Sequence, residues 1–286
     1  MFFRFRCSIL LLLCLCMMCN TYAQTAYKKI VSLNGTVTEI LCDLGFEKQI
    51  VGVDVTSTYP AAMNKVPKVG HNRNISAEPV LALQPDLIIA TGNFLSPAVL
   101  AQFKSVGIPE VILEQEFSVA GTKKMITQVA AALHVPEKGA ALCSQLDKQQ
   151  AALHITPQKK KVLFIYARGA GTMMVAGTAT PMDKMIGLAG AVNAASGFSD
   201  FKPLTAESLV SADPDVILLF DSGLQSMGGI DGLLKVPGVA QTSAGKNRKG
   251  IIAGPLGVKN VGQINILPAD RDPRGGGSQA AVQVFH

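Results

Sequence analysis

The sequence predicts an α/β protein made of two similar lobes. Short β-rich runs alternate with stretches of helical spacing from Tyr27 onward, one strand–helix phrase occurs twice, and a helical segment separates the copies. In the first copy Ser76-Ala77-Glu78 opens a helix that continues through Val80, Leu81 and Leu83. Pro85-Asp86 ends it and residues 87–90 (LIIA) read as a buried strand. In the second, Thr205-Ala206-Glu207 leads through Leu209 and Val210 to Pro214-Asp215 and the strand 216–220 (VILLF). Glu78 and Glu207 stand 129 positions apart. Equivalent phrases at that distance point to two lobes, because strands separated by single helices pair in parallel with helices on the sheet faces. The alternative, that this phrase is common local grammar of α/β chains, stays open at this level.

The other elements follow in order. Residues 29–33 (KIVSL) form a strand, and residues 35–44 carry helical spacing at Val37, Ile40, Leu41 and Leu44. Residues 50–53 form a second strand, followed by a Thr/Ser/Tyr/Pro loop. From residue 122 to 153 apolar positions at Met125, Ile126, Val129, Ala130 and Leu133 resume, after Pro136, at Ala140, Leu142 and Leu146. This predicts a long Pro-interrupted helix or a helix pair that links the lobes stiffly. Lys159-Lys160-Lys161 then enters a strand at 162–166, while Gly and Pro accumulate from residue 254 and predict a loosely ordered tail. The expected organisation is a leader at 1–23, a first lobe at 24–120, a linking helix at 121–157 and a second lobe at 158–286.

Composition bounds what such a chain does. With 48% hydrophobic and 16% charged residues among 286, it must build a substantial core. A basic start, an apolar run over 9–18 and Thr21-Tyr22-Ala23 before Gln24 read as a cleaved secretory signal, the run being too short to span a bilayer. A retained anchor and lipidation at Cys19 are the alternatives. Removing Arg4 and Arg6 with the leader takes the formal charge from +6 to +4, too mild to argue for nucleic acid. The absence of Trp and 6% aromatics argue against a sugar-stacking platform. Cys42 and Cys143 remain after cleavage, to pair or to stay buried and reduced.

Familiar catalytic signatures are missing: there is no G-x-S-x-G elbow, phosphate-binding loop or H-E-x-x-H helix. Of His71, His134, His154 and His286, the first stands out. It lies in the polar stretch Gly70-His71-Asn72-Arg73-Asn74, where an imidazole could ligate haem iron and Arg73 could pair with a carboxylate. A plain loop histidine is the competing reading.

Several segments resemble the periplasmic haem-binding proteins that feed bacterial haem-uptake ABC transporters. In the first half these are Asp54-Val55-Thr56-Ser57-Thr58-Tyr59-Pro60, Pro67-Lys68-Val69-Gly70, Arg73, Ser76-Ala77-Glu78 and Leu83-Gln84-Pro85-Asp86-Leu87. In the second they are Met174-Val175-Ala176-Gly177, Leu188-Ala189-Gly190-Ala191-Val192-Asn193 and Lys235-Val236-Pro237-Gly238-Val239. The resemblance covers residues 28–252. It implies a non-enzymatic carrier: two Rossmann-like α/β lobes joined by a long helix, haem in the cleft between them, and delivery to a membrane permease from the periplasm.

That family ligates iron with a Tyr in a Gly-Tyr-x-Arg loop. This chain has His71 at the Tyr position and keeps Arg73, so the resemblance offers His71 as iron ligand, with Tyr59 as the alternative phenolate. It offers Arg168, in Tyr166-Ala167-Arg168-Gly169, for a haem propionate, with Tyr166, Met173 and Met174 as packing, although core packing explains the methionines equally well. Glu78 and Glu207 are the expected docking residues for the permease, the competing reading being simple preference for a helix N-terminus. The chain departs from the family after residues 251–252. A ferric siderophore or cobalamin is the alternative cargo, and an exported α/β enzyme the alternative class.

Overall fold

A computed structural model describes residues 27–72, 74–92, 95–152, 157, 159–169, 171, 173–248 and 251–254. The expected leader, Arg73 and the tail beyond residue 254 lie outside the described residues. The first half runs β1 (Ile30–Ser32), α1 (Gly35–Asp43), β2 (Ile50–Val53), β3 (Gly70–His71), β4 (Asn74–Ile75), α2 (Ala77–Leu81), β5 (Leu87–Thr91), α3 (Pro97–Ser105), β6 (Glu110–Leu113) and α4 (Val119–Ala132).

Strands β2, β1, β5 and β6 form, in that order, a wholly parallel sheet. Every residue of β1 and β5 is buried, as expected where helices cover both faces. Successive side chains point to opposite faces. Ile30, Ile89 and Leu113 meet Val37 and Leu41 of α1 and Met125 and Val129 of α4 on one side. Val31, Ile88 and Ala90 meet Val80 of α2 and Val99 and Phe103 of α3 on the other.

The expected link takes the form of a helix pair. α5 (Pro136–Ala151) runs antiparallel to α4, with Lys123 paired to Asp147 at 2.7 Å and Gly139 set against Ala130. A Cβ at Gly139 would come within 2.5 Å of the Ala130 methyl, so the two helices touch here by virtue of the glycine. α4 buries its apolar stripe in the first core, and α5, about 24 Å long, packs against the same core through Leu142, Cys143 and Leu146.

The second half runs β7 (Lys161–Ala167), β8 (Met173–Ala176), α6 (Pro181–Leu188), β9 (Val192–Asn193), β10 (Phe201–Pro203), α7 (Ala206–Ala212), β11 (Val216–Phe220), α8 (Asp221–Ser226), α9 (Gly229–Leu234), α10 (Ser243–Lys246) and β12 (Ile251–Gly254). Its sheet has the order β10-β8-β7-β11-β12, with β9 beside the start of β7. β7, β11 and β12 are parallel, whereas β8 and β10 are added antiparallel. That departs from uniform strand–helix alternation for a simple reason: the few residues between β7 and β8 cannot make a parallel crossover.

The recurring Pro-Asp performs the same task in both halves. Asp86 accepts hydrogen bonds from the backbone N–H of Lys28 (2.7 Å) and Lys29 (2.9 Å), and its own N–H donates to the Lys29 carbonyl. Asp215 accepts from the Lys161 N–H at 2.8 Å and donates its N–H to the Lys161 carbonyl. Each aspartate thus fastens the start of the neighbouring central strand, so the repeat is a structural equivalence.

A second carboxylate, Asp213, lies just past α7 in the left-handed region (φ 37°) and caps α10, accepting from the Ser243 N–H (2.7 Å) and hydroxyl (3.2 Å). The Ser243 backbone bond is the main cause holding its pKa below the ordinary 3.8; the Ser243 hydroxyl, Lys161 and Lys246 add to it against some desolvation. A depressed folded-state pKa contributes stability that is complete above the unfolded carboxylate range and lost as pH falls through the folded value. We therefore expect Asp213→Asn, which tolerates the same backbone, to show a flatter decline of unfolding midpoint than the parent below about pH 4. Denaturant titrations across the acid range check this.

Candidate functional site

Loops that carry ligands in open α/β sheets leave from the carboxyl ends of the strands. In the first half that edge is held by buried polar groups. Asn34, after β1, caps α1 by accepting from the N–H of Thr36 (2.9 Å) and Val37 (3.3 Å). Its amide donates to Thr91 Oγ1 at the end of β5 and to Gln115 Oε1 beyond β6, both at 3.3 Å. After β2 comes Asp54, fully buried, whose carboxylate accepts from Ser57 Oγ (2.5 Å), the Thr56 N–H (3.0 Å) and the Thr56 hydroxyl. Ser57 Oγ and Thr38 Oγ1 share a hydrogen bond at 2.8 Å, and Thr38 donates to Ser32 Oγ at 2.8 Å. Loops from four strands are thereby tied to one another.

Tyr59, half-buried, follows in the same loop. The loop is braced by Lys68, whose Nζ donates to the carbonyls of Ser57 (2.6 Å) and Met63 (3.1 Å). Burial lowers the Lys68 pKa from its ordinary value, with the Asp54 carboxylate opposing. Lys68 bridges Val53 in parallel, and the Val55 N–H donates to the Gly70 carbonyl at 2.9 Å. The chain therefore passes the end of β2 still travelling in the strand direction, and the β3–β4 hairpin projects from the carboxyl edge. His71 pairs with Asn74 across this hairpin and is exposed. Among the described residues, Asn72 Oδ1, buried there, has no hydrogen-bond partner.

At the carboxyl edge of the second sheet, Arg168 follows β7 and is exposed, its guanidinium 5.5 Å from the centre of the Tyr166 ring. Tyr166 meets Phe220, the last residue of β11, edge-on at 6.3 Å, and Phe220 meets Phe164 at 5.1 Å. Gly169 donates its N–H to Ser226 Oγ at 2.8 Å, fixing the Arg168 turn to α8. Arg168 forms no ion pair among the described residues. At that distance the ring attracts the cation through its π face, and guanidinium N–H groups suit a carboxylate partner in general. The two methionines divide. Met174 pairs with Tyr166 and shares its face, whereas Met173 pairs with Ala167 and packs on the opposite core.

Glu78 and Glu207 are both exposed in the first turns of α2 and α7. Each helix runs back toward the amino end of the strand that follows it, so both glutamates stand toward the carboxyl edge of their own sheet. Cys42 and Cys143 are not joined in a disulfide, and both pack against the first core.

From the sequence no site role fell to Asn34, Thr38 or Gln115, nor to Ser57, Lys68 and Phe220, which figured only within a resembling segment or a strand. The signal for part of this set was present: Asp54 with Thr56 and Ser57 directly after an apolar strand is the pattern of a side-chain-capped turn. Gln115 and Lys68 act across the fold and leave no local mark.

A family model described as periplasmic binding protein matches residues 30–255. Among solved structures, the periplasmic heme-binding protein RhuT from Roseiflexus sp. RS-1, in apo form, superposes with a TM-score of 0.75 at 40% identity, covering 82% of this chain and 94% of that one. An uncharacterised ABC transporter substrate-binding lipoprotein of Bacillus subtilis, YvrC, is 31% identical over 68% of this chain, and the match spans 64% of that protein, just under two thirds. A vitamin B12-binding protein of Pectobacterium atrosepticum is 28% identical over 77% of this chain and 79% of its own. Among the described residues no helix is long and apolar enough to cross a membrane. With the matched region running from β1 into β12, the chain belongs to the periplasmic binding protein family.

Proposed function

We propose that this protein is the periplasmic capture component of a haem-importing ABC transporter, exported by a leader that is then removed. The observation that carries the reading is the exposed His71 imidazole on a hairpin at the carboxyl edge of the first sheet. Porphyrin supplies four nitrogens to iron, so one imidazole completes a useful axial bond. Tyr59 lies in the neighbouring loop as an alternative phenolate. Arg168 on its aromatic support suits a propionate, with Tyr166 and Met174 beside it as apolar surface and Arg73 as a second cation. The similarity to the solved RhuT structure supports the same cargo.

In this role the protein makes and breaks no covalent bond in its cargo. It removes an apolar macrocycle from water, orients its carboxylates toward cations and releases it on docking. Glu78 and Glu207, at corresponding places in the two halves, are proposed to meet basic residues of the permease. A second reading, cobalamin as cargo, is favoured by the vitamin B12-binding relative. Cobalamin needs no ligand from His71 and carries amides where haem carries propionates.

Titration of the purified protein with ferric haem tests the choice. The parent is expected to shift the Soret band, with His71→Ala weakening binding at least about tenfold and Tyr59→Phe doing less. Absence of a Soret shift, together with cyanocobalamin binding that His71→Ala leaves intact, would replace haem by cobalamin. For docking, Glu78→Lys with Glu207→Lys is expected to leave haem affinity unchanged while lowering uptake into permease-containing vesicles at least about tenfold. Undiminished uptake would remove these residues from the docking surface.

A further inference from the structure

We infer that Lys68 is a positioning residue that couples the Tyr59 loop to the His71 hairpin, so that the two act as one ligand-holding unit. The inference rests on reading these loops as the cargo site. Lys68 reaches both ends of the segment that contains Tyr59, donating to the carbonyls of Ser57 and Met63. Its backbone, three residues before His71, pairs in parallel alongside the end of β2: the Val53 N–H donates to the Pro67 carbonyl and the Val69 N–H to the Val53 carbonyl, both at 3.0 Å. One side chain thus spans the loop while its own main chain leads into the hairpin.

The buried Asp54 carboxylate explains why a lysine fits there. It holds the near end of the loop through Thr56 and Ser57 and offsets part of the desolvation that the Lys68 ammonium undergoes in reaching the two carbonyls, although the residue as a whole is exposed. Three N–H donors on a flexible stem allow Nζ to bond two carbonyls on different sides, which a methionine of similar length cannot do. Lys68 does not need to touch the cargo: it sets where Tyr59 stands relative to His71.

The test is hydrogen exchange on the ligand-free protein, with haem binding as a second measurement. In Lys68→Met, amide exchange in residues 57–63 and 70–75 is expected to rise together by about tenfold or more. Haem is expected to dissociate faster, with an altered Soret maximum, and Lys68→Arg to recover much of the parental behaviour. Asp213→Asn, a destabilising change in the other half, should leave exchange in both segments as in the parent. Exchange that rises in residues 57–63 alone, or in neither segment, overturns the coupling even if the parent binds haem. Coupled exchange in a parent that binds no haem leaves the coupling standing and defeats the haem reading. Should Lys68→Met not fold, Lys68→Gln, with a shorter donor, is read by the same two segments.

Discussion

Two aspartates at equivalent places set the geometry on which everything else depends. Asp86 and Asp215 each sit between a helix and the central strand it feeds, and each seizes the backbone where the adjacent strand begins. Charge-assisted bonds to backbone N–H groups are stronger than neutral ones, and here they act where a parallel pair would otherwise fray. With the amino ends fixed, the register of β1 against β5 and of β7 against β11 follows, and the carboxyl ends emerge together as an edge from which loops can project.

The two edges are built differently. The first is a polar mesh in which Asn34, Thr38, Asp54 and Ser57 are buried and bonded to one another or to backbone. Such groups are costly to bury unless satisfied, and once satisfied they allow few alternative arrangements. This firm base carries the Tyr59 loop and the His71 hairpin. The second edge is aromatic, with Phe164, Phe220 and Tyr166 in edge-to-face contact leading out to the Arg168 guanidinium. On the proposed function, the first surface would meet the metal centre of the cargo through His71 and the second its carboxylates through Arg168.

Much of the fold was legible because it is written locally. Strands 50–53 and 216–220 read from their apolar runs are found at those bounds, and the helix after Asn34 begins where its cap requires. The two-lobe inference came from a repeated phrase whose physical meaning, the strand clamp, only the structure supplied. The antiparallel turn of α4 onto α5 was harder to read, because it depends on a single small residue, Gly139, opposite Ala130. The candidate groups His71, Tyr59 and Arg168 could be named from the sequence, their supports much less. Nothing local in Pro67-Lys68-Val69-Gly70 marks the lysine as a brace, yet its ammonium crosses to two carbonyls, one of them eleven residues earlier in the chain.

On the proposed function one cargo, haem, lies against the carboxyl edges of both sheets. Ferric haem is paramagnetic, so its position can be mapped by the loss of backbone amide signals in the NMR spectrum of the isotopically labelled protein. Selective broadening is expected at residues 54–59 and 70–75 in the first half and at 166–169 in the second. Signals from Lys28, Lys29 and Lys161, at the opposite edges, should persist. Broadening confined to one half, or centred on the amino edges, would contradict that placement of haem.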